Sequence, residues 1–264
     1  MVMPQYYYKR VAMQFVPILN SFAGSSLTLA NWEACNIKIA SFYLDALLIK
    51  PGFTLLQSIK NLKDYLAWPH QLVLNLSLLK TTSAGDFVLR SPYDGSFIKV
   101  NKKDLIRLLQ RLDADLIILP QELAELELPA KVGHYLHHDK KIAFSDFCEK
   151  LEAVKLLKPY ISGDFSLDEL QQLQKIGVDW VESNSPAEAA IKGHIYDDNN
   201  QVFSIANTDM AEQYEPLMQS CLCATCNNGF TRAYLHHLFS QTPLLCQRYL
   251  MQHNLFKMNV FQSN

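Results

Sequence analysis

Cys221, Cys223 and Cys226, followed after twenty-six intervening residues by His253, are the residues whose types and spacing most directly dictate a chemistry. Half of the chain's six cysteines fall within these six positions. Three thiolates and one imidazole are the donor set of tetrahedral zinc, and four protein ligands leave no open position for a substrate. A structural Zn2+ is therefore expected, held by a short Cys loop and a ligand from a helix. Cys35, Cys148 and Cys246 lie in apolar stretches and are expected to be ordinary core thiols.

The elements that must position this site are written in the rest of the chain. With 264 residues, 49% apolar and 19% charged, the chain can bury a sizeable core and is not of disordered composition. A single α/β barrel commonly takes about 250 residues. Short apolar runs alternate with helical periodicity. Ile37–Ala46, Gln71–Leu76 and Leu116–Leu119 read as buried strands, and Asn101–Leu112 and Ser166–Ile176 as amphipathic helices. Ser166 with Glu169 makes a capping box, and Gly177 suits a helix C-terminus before a strand at Val178–Val181. Tyr93–Ser96 and Asp197–Asn200 suit hairpin turns. Such alternation means a parallel sheet, either a barrel or an open doubly wound sheet. The expectation is a barrel-like body over 1–193 followed by a zinc-binding subdomain over 194–264.

The net charge of −2 excludes nothing by itself, but its distribution is informative. Beyond Glu215 the only charged residues are Arg232, Arg248 and Lys257. This segment forms a local basic surface suited to phosphate contacts, or equally a cover for the zinc thiolates. The Cys pattern points to a reducing compartment such as the cytoplasm. No run of eighteen apolar residues suggests a membrane span. Val11–Leu19 only faintly imitates a signal peptide and reads as a strand with a Tyr-rich start, Tyr6–Tyr8, for which stacking on nucleic acid is the alternative.

Cys221-Leu-Cys-Ala-Thr-Cys226 is followed by Arg232-Ala-Tyr-Leu-His-His-Leu238 and His253-Asn254-Leu255. In this order the motifs closely resemble the zinc module of the tRNA-guanine transglycosylases, which exchange a guanine in tRNA for a queuine-type base. Ser91-Pro-Tyr-Asp-Gly-Ser96, Ala114-Asp115, Lys158–Gly163 and Gly177-Val-Asp179 resemble further segments of that family. The resemblance implies a (β/α)8-type barrel with an inserted zinc subdomain, here shortened or incomplete. It also implies a nucleophilic aspartate that attacks the ribose C1′, a second that gives acid/base support, and a third that holds the base.

Position by position, that catalytic set is replaced. The nucleophile falls on Glu182, the supporting aspartate on Asn75 and the base-holding aspartate on Gln121. Glu retains a carboxylate, but its extra methylene displaces it by about an ångström, enough to cost a factor of order 10². Asn75 cannot titrate, and Gln121 carries no charge toward a guanine edge. Leucines replace the glycine-rich loop after Asn75. Only 35 residues, 123–157, stand where the family has two strand–helix units.

The expectation is a catalytically inactive homologue (a pseudoenzyme) that binds tRNA, through the Arg232, Arg248 and Lys257 surface, or binds a partner, as a homodimer or a heterodimer with a catalytic homologue. The alternatives are an active transglycosylase of altered specificity with Glu182 as nucleophile, and a structural zinc protein with no tRNA role. Glu182 standing buried would exclude the first alternative. His134, His137 and His138 are expected in a polar loop or helix end, His236 and His237 as packing residues of the zinc module rather than ligands, and Asp164 and Asp179 as structural carboxylates.

Overall fold

The computed structural model describes residues 13–82, 85–120, 123–199 and 201–263. Tyr6–Tyr8, Gln121 and Asn200 lie outside the described residues. The strands are β1 (Gln14–Val16), β2 (Ile39–Tyr43), β3 (Gln71–Asn75), β4 (Phe87–Arg90), β5 (Phe97–Val100), β6 (Leu116–Ile118), β7 (Tyr135–His138), β8 (Tyr160–Gly163), β9 (Trp180–Glu182), β10 (His194–Tyr196) and β11 (Val202–Ser204).

Two parallel sheets carry the body. One has the order β1-β9-β8-β7 and the other β2-β3-β6. They are hydrogen-bonded to each other at two places. Leu19 N donates to Ser41 O at 2.9 Å and Ser41 N to Pro17 O at 2.9 Å, joining the end of β1 to β2. Ile117 N donates to Ala130 O at 2.7 Å and Val132 N to Ile117 O at 2.9 Å, so the chain entering β7 also pairs with β6. A small apolar cluster takes Val16, Ile39, Val73, Ile118 and Tyr160, one residue from each of five strands belonging to both sheets. Strand side chains alternate between faces. The face of Ile39, Val73 and Tyr160 therefore continues at Ser41 and Tyr43, at Asn75, and at Ser162.

The helices form where local signals favour them. Leu105, Leu108, Leu109 and Leu112 bury one stripe of the helix Lys102–Leu112, and Asn101 caps it by accepting from Asp104 N at 2.9 Å. Ser166 and Glu169 cap the helix Leu167–Ile176 reciprocally, and Gly177 closes it at φ +90°, a conformation that favours glycine. The two expected turns join β4 to β5 and β10 to β11 as antiparallel hairpins. The helix Pro243–Ser263 packs on the helix Ser185–Ile191 and on β1 and β10, which fixes the C-terminal segment to the body. No helix among the described residues is long and apolar enough to cross a membrane.

Three expectations are corrected. The apolar run Ile37–Ala46 is not one strand. β2 ends at Tyr43, and Leu44–Leu47 turns into a helix, since Leu and Ala serve a helix well and a short apolar run lacks a decisive period. His137 and His138 lie in β7, inside the sheet rather than in a polar loop or helix end. Pairing with β8 supplies the backbone partners that make this polar sequence a strand. Cys148 is only half-buried, on the helix Phe144–Val154, unlike Cys35 and Cys246, whose thiols burial pushes up to about 12.

Candidate functional site

The thiols of Cys221, Cys223 and Cys226 face the Nδ1 of His253 at 3.6, 3.5 and 3.4 Å. All four residues are buried, and their ligand atoms lie within 4.8 Å of one another. A tetrahedral zinc with ordinary Zn–S and Zn–N bonds separates S from N by about 3.6 Å, so the donor set and spacing fit the ion. The three sulfurs converge on one imidazole nitrogen, and a cation seated among them would take them as thiolates. His236 is not part of the cluster; its Nδ1 bonds Ile205 O at 2.8 Å.

The surroundings orient the ligands. His253 Nε2 lies 2.9 Å from Tyr196 O, a carbonyl that can only accept, so Nε2 carries the proton and Nδ1 offers its lone pair. Cys223 caps the short helix Ala224–Asn227 and accepts from Cys226 N, which fixes the loop. Thr225 Oγ1 donates to Tyr249 O at 2.7 Å, tying that loop to the histidine-bearing helix. Asn254, fully buried beside the ligand, accepts from Tyr196 N and donates to Pro186 O and His194 O. Asn254→Ala is expected to destabilise the protein by about 2–4 kcal/mol, because two buried backbone groups and a partly buried one lose their partner. It should leave one metal per chain; denaturant midpoints and elemental analysis report the two effects separately.

Glu182 stands at the carboxyl end of β9 with no exposed surface. Its Oε1 accepts from Tyr43 Oη at 2.8 Å and from Asn75 Nδ2 at 2.9 Å, and its Oε2 accepts from Tyr160 Oη at 2.9 Å. Burial raises its carboxyl above the usual range, while the surrounding donors work in the opposite direction. Ser41 stands close enough to add to that lowering, yet its hydroxyl makes no well-formed hydrogen bond. Asn75 Oδ1 accepts from Ser77 N at 2.9 Å, so the residue is spent within the fold. The structure thus brings Glu182 and Asn75 together. Leu76 and Leu79, in the stretch after Asn75, are buried, and Leu78 is exposed.

A cavity of about 240 Å³ opens at these strand ends, with Tyr43, His137, Ser162, Glu182 and Asn184 in its wall. His137 Nδ1 meets Ser162 Oγ at 2.9 Å, and Tyr135 Oη meets the same oxygen at 2.7 Å. Tyr43, Tyr135, Tyr160 and Ser162 were not singled out from the sequence, and His137 was expected in a polar loop or helix end rather than at this cavity. The signal available was a polar residue at the carboxyl end of a parallel strand, which is where barrel sites are built. His138 is buried and stacked on Phe165, with ring centroids 5.4 Å apart. Asp164 and Asp179 pair with Lys140 and Lys158 at 3.3 and 3.4 Å.

The C-terminal cations are engaged within the protein. Arg232 is held by Gln213 and Glu215 at 2.8 and 3.1 Å and lies over Phe203. Arg248 donates to Asn31 Oδ1 at 3.0 Å, and Lys257 pairs with Asp198.

Residues 143–264 match the family model described as queuine tRNA-ribosyltransferase. A queuine tRNA-ribosyltransferase of Dehalococcoides mccartyi (strain CBDB1) is 22% identical, covering 94% of this chain and 80% of the relative. One of Thermoanaerobacter sp. (strain X514) is 30% identical over 52% of this chain and 36% of the relative. One of Desulfosudis oleivorans is 35% identical over 37% and 25%. The resemblance read from the zinc-module motifs is supported at the level of the family, and the mixed α/β architecture with parallel sheets is consistent with that family.

Proposed function

We propose that this chain is a zinc-bearing, tRNA-binding homologue of the queuine tRNA-ribosyltransferases that does not itself exchange bases. The observation that carries the reading is the state of Glu182: it is fully enclosed, and both of its oxygens are taken by Tyr43, Asn75 and Tyr160. A glycosidic nucleophile must present a carboxylate oxygen to an anomeric carbon, with a second group nearby for proton transfer. Here the second group is an amide, and the phenols of Tyr43 and Tyr160 hydrogen-bond to the carboxylate oxygens.

In this reading the seven parallel strands form a shortened barrel with one stave fewer than the eight of the family, closed where β1 meets β2 and where the chain entering β7 meets β6. The body is 1–193 and the zinc module 194–264. The bound zinc supplies a closed, charge-neutralising cross-link and no chemistry on substrate. Cys221, Cys223, Cys226 and His253 hold it, and Asn254 and Thr225 hold the elements that carry them. The cavity wall formed by Glu182 is the observation favouring an exchanging enzyme of altered specificity, but it offers that enzyme no free carboxylate oxygen. Pairing with a second copy or with a catalytic homologue is part of the proposal.

Incubation of the purified protein with guanine-34 tRNA and labelled guanine tests it. No incorporation above background is expected over hours. Incorporation that Glu182→Ala abolishes would overturn the reading. Retention of labelled tRNA with steep salt dependence is expected, and its absence would leave only a structural zinc protein.

A further inference from the structure

We infer that the outer face of the β4–β5 hairpin is a contact site for single-stranded RNA; as far as the RNA is tRNA, this rests on the function proposed above. The register pairs Phe87 with Val100, Val88 with Lys99, Leu89 with Ile98 and Arg90 with Phe97. Alternation therefore gives the hairpin two unlike faces. Phe87, Val100, Leu89 and Ile98 pack on the core. Val88, Lys99, Arg90 and Phe97 make the outer face, where Phe97 is 72% exposed. At the turn, Tyr93 is 68% exposed, with Lys50 Nζ 3.4 Å from its ring centroid. Arg90 lies 6.0 Å from the ring of Phe97. Two aromatic rings this open, each beside a cation, are what stacks bases and tracks a phosphate backbone.

The charge of the segment agrees. Residues 80–103 carry five cations, Lys80, Arg90, Lys99, Lys102 and Lys103, against the carboxylates Asp86 and Asp94, in a chain whose net charge is −2. Lys99 pairs with Asp86 at 2.7 Å. Asp94 is exposed on the turn, where its carboxylate is engaged locally, accepting from Ser96 N at 3.1 Å and Ser96 Oγ at 2.8 Å. Its carboxyl is lowered to about 2, first by a hydrogen bond with Ser91 and then by Ser96. Lys102 and Lys103 occupy the first turn of a helix, beside Asp104 and the Asn101 cap. The turn is rigid: Ser91 N donates to Ser96 O, Gly95 N to Ser91 O, and Gly95 holds φ +72°. A preformed turn loses little entropy when a ligand docks. The aromatic residues set this face apart from the C-terminal cations, which already have partners inside the protein.

Fluorescence anisotropy with a labelled single-stranded oligonucleotide and, separately, a labelled tRNA transcript tests the site on the full chain. Tyr93→Ala with Phe97→Ala is expected to weaken oligonucleotide binding by on the order of tenfold or more. Arg90→Ala is expected to reduce the salt slope by about one. Thermal unfolding checks that these exposed substitutions leave the fold intact, and Arg232→Ala serves as the comparison. Equal affinity of the hairpin variants and the wild type for the oligonucleotide would overturn the assignment even if tRNA binds. Oligonucleotide binding through the hairpin without tRNA binding would sustain it and overturn the tRNA reading. Hairpin variants that alter self-association in sedimentation but not RNA binding would assign the face to a protein partner and overturn the inference.

Discussion

Cys226→Ser is expected to abolish stoichiometric zinc binding and to lower the unfolding midpoint by on the order of 10 °C. The four candidate ligand atoms are buried within 4.8 Å of one another, a spacing that suits a tetrahedral cation. Metal binding free energy is folding free energy wherever the unfolded chain has no preformed site, and structural zinc contributes several kcal/mol. In a chain of this length each kcal/mol moves the midpoint by about 2–4 °C. The effect should spread beyond the loop, because the ligand helix Pro243–Ser263 also packs on β1 and on the helix Ser185–Ile191. Prolonged incubation with a strong chelator should reproduce the loss, and added zinc should reverse it in the wild type alone. An unchanged midpoint with zinc absent would remove the site from the fold's stability.

The second large effect is expected at Glu182, where Ala and Gln should separate two causes. Glu182→Ala leaves the hydroxyls of Tyr43 and Tyr160 and the amide of Asn75 aimed at a hole. Each unsatisfied buried group costs about 1–3 kcal/mol, so a loss of about 3 kcal/mol or more is expected. Glu182→Gln keeps the shape and most partners but removes the ionisable group. Burial raises the wild-type carboxyl above its ordinary 4.5. Between that value and its value in the fold, the native state therefore holds more protons than the unfolded chain. Wild-type stability from this group is complete below pH 4.5 and falls as pH rises through the window. The Gln variant should gain on the wild type with rising pH, by up to about 1.4 kcal/mol per pH unit. Urea midpoints at several pH values measure this, and parallel curves for the two proteins would refute it.

Legibility of the fold in the sequence varied with the range of the interaction. Ser166 with Glu169, Asn101 with Asp104, and Gly177 bond within a few residues of themselves, so their helix ends were readable. The hairpin turns at Tyr93–Ser96 and after Asp197 were readable for the same reason. The strand at His137–His138 was not, because its polar residues find partners only on β8, as in the bond from His137 to Ser162. The run through Tyr43 was read too long, since apolar residues alone do not reveal where a strand gives way to a helix.

The site divides in the same way. The candidate metal ligands were legible from residue type and spacing, and the fold brings the same four residues into one buried cluster that could hold a metal. On the resemblance, the sequence also aligned Glu182, Asn75 and Gln121 with positions where that family is expected to carry aspartates. It could not say what these residues do instead. Glu182 meets Tyr43 across 139 positions and Asn75 across 107, and no local signal encodes contacts at that range. The tertiary structure decided that the carboxylate is enclosed and satisfied, and that the cations near the C-terminus are already paired. It also decided that two aromatic rings stand open on a hairpin the sequence had marked only as a turn. Composition and spacing fix which groups are available, but desolvation and partnership depend on packing, which is decided only when distant strands meet.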